Sequence, residues 1–251
     1  GIDSALTATI AVDSLSSENV IGVAMPSRFN PESSLKDAED LAKNLNIELK
    51  TINIEETAEK FKDLIGSNID ESLESVVKEN IQARIRGNIL MALSNQLGAM
   101  VVSTGNKSEM AVGYSTLYGD LVGGFALLKD VYKTEVYKLS NYRNSISKAI
   151  PKNIISKKPS AELSEDQYDS DTLPEYDLLD KILKMYIEHD YSSEKIIQSG
   201  IEKDIVFDIL EKIDRNEYKR KQVAPGVKLT SRAFGKDRRM PITNTYIRDR
   251  Y

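Results

Sequence analysis

Twice in this sequence a short apolar run empties into a turn of small residues and then into a helix. Residues 19–25 (NVIGVAM) stop at Pro26, pass through a loop at 27–30, and lead into a helical stretch at 32–46 with Leu35, Ala38, Leu41, Ala42 and Leu45 on one face. Residues 99–102 feed Ser103-Thr104-Gly105-Asn106, and a new helix opens near Lys107. Short unbroken apolar runs mark strands buried on both faces. Strands that alternate with helices pair in parallel, because a crossover is needed to bring the chain back to the same end of the sheet. The expected fold class is α/β, a doubly wound parallel sheet with helices on both faces. Ligands of such sheets sit beyond the carboxyl ends of the strands. The loops after Met25, after Val102 and at Gly1 therefore converge.

The remaining elements follow the same logic. Residues 48–54 read as a strand and 55–65 as a helix. A long helix covers about 71–97, with Ile81, Ile85, Ile89, Ala92, Leu93 and Leu97 forming its stripe. Four glycines at 113, 119, 123 and 124 make residues 113–130 an irregular loop near the site. A helix covers 133–148, Pro151 and Pro159 bracket a loop, and 160–174 is polar and acidic. Short helices are expected at 175–189, 193–199 and 203–215. From Asn216 onward, Pro225, Gly226, Gly235 and Pro241 interrupt any regular element. Residues from about 175 to 251 thus form a helical and irregular extension of the same domain.

Composition removes several classes of function. Cysteine is absent, which excludes disulfides, thiolate zinc and a cysteine nucleophile within this chain and fits a reducing, cytoplasmic setting. The single histidine, His189, ends an expected helix, where a cation suits the dipole. Net charge is −5, so nucleic acid is not the expected partner. No run approaches the roughly 20 apolar residues of a membrane span, and no membrane partner is expected.

The opening Gly1-Ile2-Asp3-Ser4 starts a helix, whose free N–H groups and positive end suit a phosphate. Asp3 and Glu109 each stand at the start of a helix behind a site loop. They are either a magnesium pair or acids that merely favour the helix dipole. Lys133 is either a phosphate partner or a solvated charge. Ser160 donates to phosphate or caps a turn. Tyr114, Tyr118 and Phe125 stack on a flat ring or simply pack. Lys219, Arg220, Arg238 and Arg239 suit a phosphate-rich ligand or form a solvated face.

Taken together, several stretches resemble one family, the NAD synthetases, and specifically the synthetase domain of the glutamine-dependent kind. They are Gly1-Ile2-Asp3-Ser4, residues 103–120 (STGNKSEMAVGYSTLYGD), 128–133 (LKDVYK), 158–163 (KPSAEL), 171–174 (DTLP), 217–222 (EYKRKQ) and 234–244 (FGKDRRMPITN). The resemblance implies an adenine nucleotide alpha hydrolase-like, Rossmann-like sheet. It implies ATP as co-substrate, Mg²⁺ as cofactor, and transfer of AMP to the carboxylate of deamido-NAD (nicotinic acid adenine dinucleotide). Ammonia then attacks the acyl-adenylate, giving NAD and AMP.

By that resemblance Asp3 and Glu109 ligate Mg²⁺, and the catalytic set is Asp3, Glu109, Lys133 and Ser160. ATP is held by Gly1, Asp3, Ser4, Met25, Arg84, Thr104, Lys133 and Ser160. Deamido-NAD is held by Arg84, Asp120, Lys219 and Arg220. A homodimer through the long helix is implied, as is a glutaminase domain upstream that supplies ammonia. The phosphate loop should follow a strand, so the first strand and the loop's start are expected to precede Gly1. Two other readings compete: another ATP pyrophosphatase such as a GMP-synthetase-like enzyme, or an inactive nucleotide-binding module.

Overall fold

The computed structural model describes residues 1–69, 72–164 and 167–243. The chain starts with helix α1 (Ile2–Leu15), strand β1 (Ile21–Ala24), helix α2 (Glu32–Leu45), strand β2 (Glu48–Thr51) and helix α3 (Glu55–Gly66). The long helix α4 (Ser75–Leu97) leads to strand β3 (Val102–Ser103), helix α5 (Lys107–Val112) and strand β4 (Phe125–Ala126). Helices α6 (Lys133–Ile146) and α7 (Lys152–Ser156) follow, then α8 (Tyr176–Leu183), α9 (Ser193–Gln198), α10 (Lys203–Arg215) and α11 (Glu217–Arg220).

Both strand pairs are parallel. Ile21 stands opposite Glu48 across β1 and β2, and Val102 opposite Phe125 across β3 and β4. Each pair is joined through a helix, α2 for the first and α5 for the second. The expected single sheet is therefore present as two parallel pairs among the described residues. Val23 and Ala24 of β1 and Val101, Val102 and Ser103 at β3 all line one cleft, which separates the pairs.

Helices cover both sides. Ile2 and Leu6 of α1 pack with Leu41 and Leu45 of α2, Val136 of α6 and Ile154 of α7. On another side Ala58 of α3 packs with Ile81 and Ile85 of α4, beneath Met25. The spacing of Leu41, Ala42 and Leu45 buries one face of α2, and Asn46, left-handed at φ 53°, ends the helix. The extension shares its core with the rest of the chain. Ala111 and Val112 of α5 lie in one cluster with Leu179, Ile182, Ile209, Ile213 and Phe234. Burying a leucine or isoleucine side chain contributes about 1.5–3 kcal/mol, so α5 is fastened from the extension side.

Several expectations are corrected. The loop between the prolines contains α7, because Pro151 precedes a helix start, where its missing N–H costs nothing. The irregular stretch at 113–130 contains β4. The stretch after Asn216 opens with α11, short enough to escape periodicity. The expected helix at 175–189 is α8 continued by a π-helical turn, Lys184–Glu188, and His189 closes that turn on the surface. Only the first half of the α4 stripe is core: Ile81 and Ile85 are buried, whereas Leu97 is 46% exposed. Glu71 and Asn244, at the ends of two expected segments, lie outside the described residues.

Candidate active site

The cleft between the strand pairs encloses about 690 Å³ and collects the starts of three helices. Each contributes one charged side chain. Asp3 sits in the first turn of α1, Glu109 in the first turn of α5, and Lys133 is the first residue of α6. The Lys133 ammonium donates to Asp3 Oδ2 at 2.6 Å and to Glu109 Oε1 at 3.0 Å. Lys133 is 3% exposed, so these bonds are made largely away from water.

Asn106 sets the spacing of the two acids. Its side-chain oxygen accepts the Glu109 N–H at 3.0 Å, an N-cap, and its amide nitrogen donates to Asp3 Oδ1 at 2.9 Å. A second cap holds the lysine. Ser108 Oγ accepts the Lys133 N–H at 2.9 Å and donates to Asp180 Oδ1 at 2.5 Å. Asp180 Oδ2 accepts the Thr134 N–H at 2.9 Å. A buried carboxylate from the extension therefore caps the helix that starts with Lys133.

The electrostatics follow from this burial. Desolvation pushes Glu109 up to about 7, with Asp3 and Asp169 adding to the rise and Lys133 opposing it. Burial works to lower Lys133, but Glu109 and Asp3 outweigh it and hold the ammonium charged. Asp180 is raised by burial, against the hydrogen bonds it accepts.

Mg²⁺ takes oxygen ligands and is held by one or two carboxylates, with phosphates and water completing its shell. Asp3 and Glu109 fit that donor set as a pair open to the cleft. Among the described residues no three histidine, cysteine or acidic groups converge as a self-sufficient metal site.

Of the residues singled out in the sequence, Gly1, Asp3, Ser4, Met25, Thr104, Glu109, Asp120, Lys133, Ser160 and Lys219 all line the cleft. Ser160 Oγ accepts the Glu162 N–H at 3.0 Å. Lys219 Nζ donates to the carbonyls of Gly113 and Ser115, at 2.7 and 2.8 Å, and so pins the turn carrying Tyr114. Asp120 Oδ1 accepts the Thr116 N–H at 2.6 Å and is raised by burial.

Arg84 and Arg220 are not brought to the cleft. Arg84 is exposed on α4 and donates to Leu117 O at 3.2 Å. Arg220 is buried in an ion pair with Glu217 at 3.0 Å and bonds the carbonyls of Ala111 and Ile213. Tyr118 is 64% exposed. Arg86, one helical half-turn from Arg84, faces the cleft instead, donating to Met25 O at 3.1 Å and Asn30 Oδ1 at 3.2 Å. Sequence reasoning also passed over Asn106, Asp169, Tyr176 and Asp180. An asparagine just before a helix was the one legible signal, an N-cap. The others depend on contacts between distant segments.

Parallel α/β architecture and a cleft built from helix starts, paired acids and a lysine define a protein of the adenine nucleotide alpha hydrolase-like class. The family model for NAD synthase matches residues 1–223, and the chain belongs to that family. The glutamine-dependent NAD(+) synthetase of Aquifex aeolicus is 53% identical over 248 residues, which cover 99% of this chain and 44% of that protein. The chain thus spans about half the length of the curated relatives it matches. Among solved structures, the glutamine-dependent NAD+ synthetase of Acinetobacter baumannii in complex with ADP is 44% identical. Its TM-score is 0.62, and the match covers 99% of this chain and 45% of that one. The NMN synthetase of Francisella tularensis is 30% identical with a TM-score of 0.74, covering 92% of this chain and 85% of that one.

Proposed function

We propose that this chain carries the synthetase activity of an NAD synthetase: ATP-dependent adenylation of deamido-NAD, then amidation by ammonia to NAD, AMP and pyrophosphate. The observation that carries the reading is Lys133, held between Asp3 and Glu109 where three helix starts meet. A carboxylate is a poor electrophile, and its attack on a phosphate brings like charges together. The site that helps is one that neutralises charge and fixes geometry. Lys133 supplies fixed positive charge, and the start of α1 supplies N–H groups.

Mg²⁺, when bound, neutralises the phosphates and is held by Asp3 and Glu109. Gly1, Ser4 and Ser160 take the phosphates, Met25 and Thr104 border the nucleotide, and Asp120 and Lys219 serve the deamido-NAD side. Arg84 and Arg220, turned elsewhere, act in this reading only indirectly on the ligand. A cytoplasmic setting belongs to the same reading.

Two further parts of the reading concern assembly. The exposed later half of α4, with Met91 at 39% and Leu97 at 46% exposed, suits a homodimer contact. A glutaminase domain that supplies the ammonia belongs to the same reading. The test uses the full-length protein with ATP, Mg²⁺, ammonium chloride and deamido-NAD, and xanthosine monophosphate as control acceptor. NAD and pyrophosphate are expected in equal amounts from deamido-NAD alone. Absence of NAD, or turnover of the control instead, overturns the reading.

A further inference from the structure

Asp169 is 4% exposed, yet it lines the cleft. One of its carboxylate oxygens, Oδ2, accepts the Tyr176 hydroxyl at 2.7 Å. The other, Oδ1, is buried with no hydrogen-bond partner. Its backbone is fixed, because Asp169 N donates to Pro159 O at 3.1 Å and Asp169 O accepts the Leu173 N–H at 3.0 Å. Its bond to the Tyr176 hydroxyl and its burial hold the side chain itself in place. A buried polar atom left without one calls for a ligand or an ordered donor.

The surroundings say which donor. Asp169 adds to the negative field at Glu109, as Asp3 does. The ammonium nearby, Lys133, is already committed to Asp3 and Glu109. A water would satisfy the oxygen and leave the charge. The divalent ion of the proposed function is assigned to Asp3 and Glu109, and among the described residues no third acid converges with them, so the open oxygen of Asp169 is left for another donor. A small cation with N–H donors meets both demands.

Aromatic rings complete the recess. The Tyr176 ring faces the Lys133 ammonium at 5.3 Å, so this π-face already attracts positive charge. The Tyr114 hydroxyl lies beside the same carboxylate. Burial raises both phenols, so they remain neutral, with oxygens that also accept.

We propose that Asp169, with the Tyr114 and Tyr176 hydroxyls, is a subsite for ammonium, the nitrogen donor, beside Glu109. The assignment rests on the function proposed above. The subsite binds the cation on the wall of the cleft that Asp169 and Glu109 line.

The test measures steady-state KM values of the full-length protein with ammonium chloride. Asp169→Asn, nearly isosteric, removes one charge-assisted hydrogen bond. The expected result is an ammonium KM raised about tenfold or more, with the ATP KM within about twofold. Tyr176→Phe keeps the ring and is expected to raise the ammonium KM by a smaller factor. An unchanged ammonium KM in Asp169→Asn overturns the subsite. A binding readout separates this from the function reading. Ammonium chloride is expected to raise Tm above sodium chloride at equal ionic strength in the wild type and not in either variant. Equal Tm in the two salts overturns the subsite whether or not NAD is formed. Should Asp169→Asn fail to fold, Tyr176→Phe carries both measurements. Wild-type protein that binds ammonium but releases no pyrophosphate from ATP and deamido-NAD would sink the proposed function alone.

Discussion

Glu109→Gln tests the electrostatic account of the cleft through stability, without any substrate. Burial lifts the Glu109 carboxyl from 4.5 to about 7. Each tenfold change in proton affinity is worth about 1.4 kcal/mol, so ionising Glu109 in the folded protein costs roughly 3 kcal/mol. The sign follows from proton linkage. Below pH 4.5 the folded and unfolded states both carry the proton. Between 4.5 and about 7 the folded state holds more protons than the unfolded one, and stability falls as pH rises. Above about 7 the whole cost is present.

Glutamine cannot ionise and keeps a carbonyl oxygen for Lys133. The stability of Glu109→Gln relative to wild type should therefore rise by roughly 3 kcal/mol between pH 4.5 and 8. The attraction between the Glu109 carboxylate and Lys133 is already contained in the net rise to about 7, so it adds no separate contribution to the comparison. Urea unfolding of both proteins at pH 5, 6, 7 and 8 gives the comparison. A stability difference that is flat across these pH values refutes the burial argument. Activity is expected to be lost in the variant even where it is the more stable protein, a trade common at strained sites.

Two other changes probe the scaffold. Asp180→Ala strands the Ser108 hydroxyl and the Thr134 N–H and should cost on the order of 3 kcal/mol in urea unfolding, with loss of activity through the displaced α6 start; retention of both would refute the cap. At Gly226 an added Cβ would stand 2.3 Å from the Ala126 carbonyl oxygen, so Gly226→Ala should lower Tm by the equivalent of about 1–3 kcal/mol, and an unchanged Tm would show that this approach relaxes without cost.

The parallel α/β plan was legible because each crossover announces itself locally. The boundaries of α10 were matched residue for residue, since Val206, Ile209, Leu210 and Ile213 repeat at helical spacing and are all buried. That Asp3 and Glu109 open helices was legible from spacing; that they and Lys133 belong to one site came from the resemblance. What the chain does not announce locally was missed. α11 spans four residues and carries no period. Arg84 and Arg86 are two positions apart on α4, far enough around the helix for one to face solvent and the other the cleft. Nothing in their identity decides which. Asp180 reads in the sequence as an ordinary acid of an amphipathic helix. Its role as a cap exists only after α8 has docked on α5 and α6, whose contact is set by Leu179, Ile182 and Leu183. Arg220 looked like ligand chemistry because a guanidinium is a phosphate binder by type; its burial against Glu217 is a tertiary fact.

The ion-pair contact at the centre of the cleft also says when the cleft comes into being. Lys133 is separated from Asp3 by 130 positions and from Glu109 by 24. Lys107, in the same helix as Glu109, bonds Thr230 across 123 positions. Contacts of such span form slowly, because chain entropy is lost before the contact returns anything. Helices α1, α5 and α6 have mostly local bonds and can form while their polar starts are still far apart. The place of Lys133 beside the two acids depends on the extension, whose Asp180 caps the start of α6 and whose core packs on α5. During synthesis Asp3 waits for more than half of the described chain to follow it. Recovered activity after dilution from denaturant is therefore a clock for the last, long-range stage of folding, running behind any signal that reports helix content.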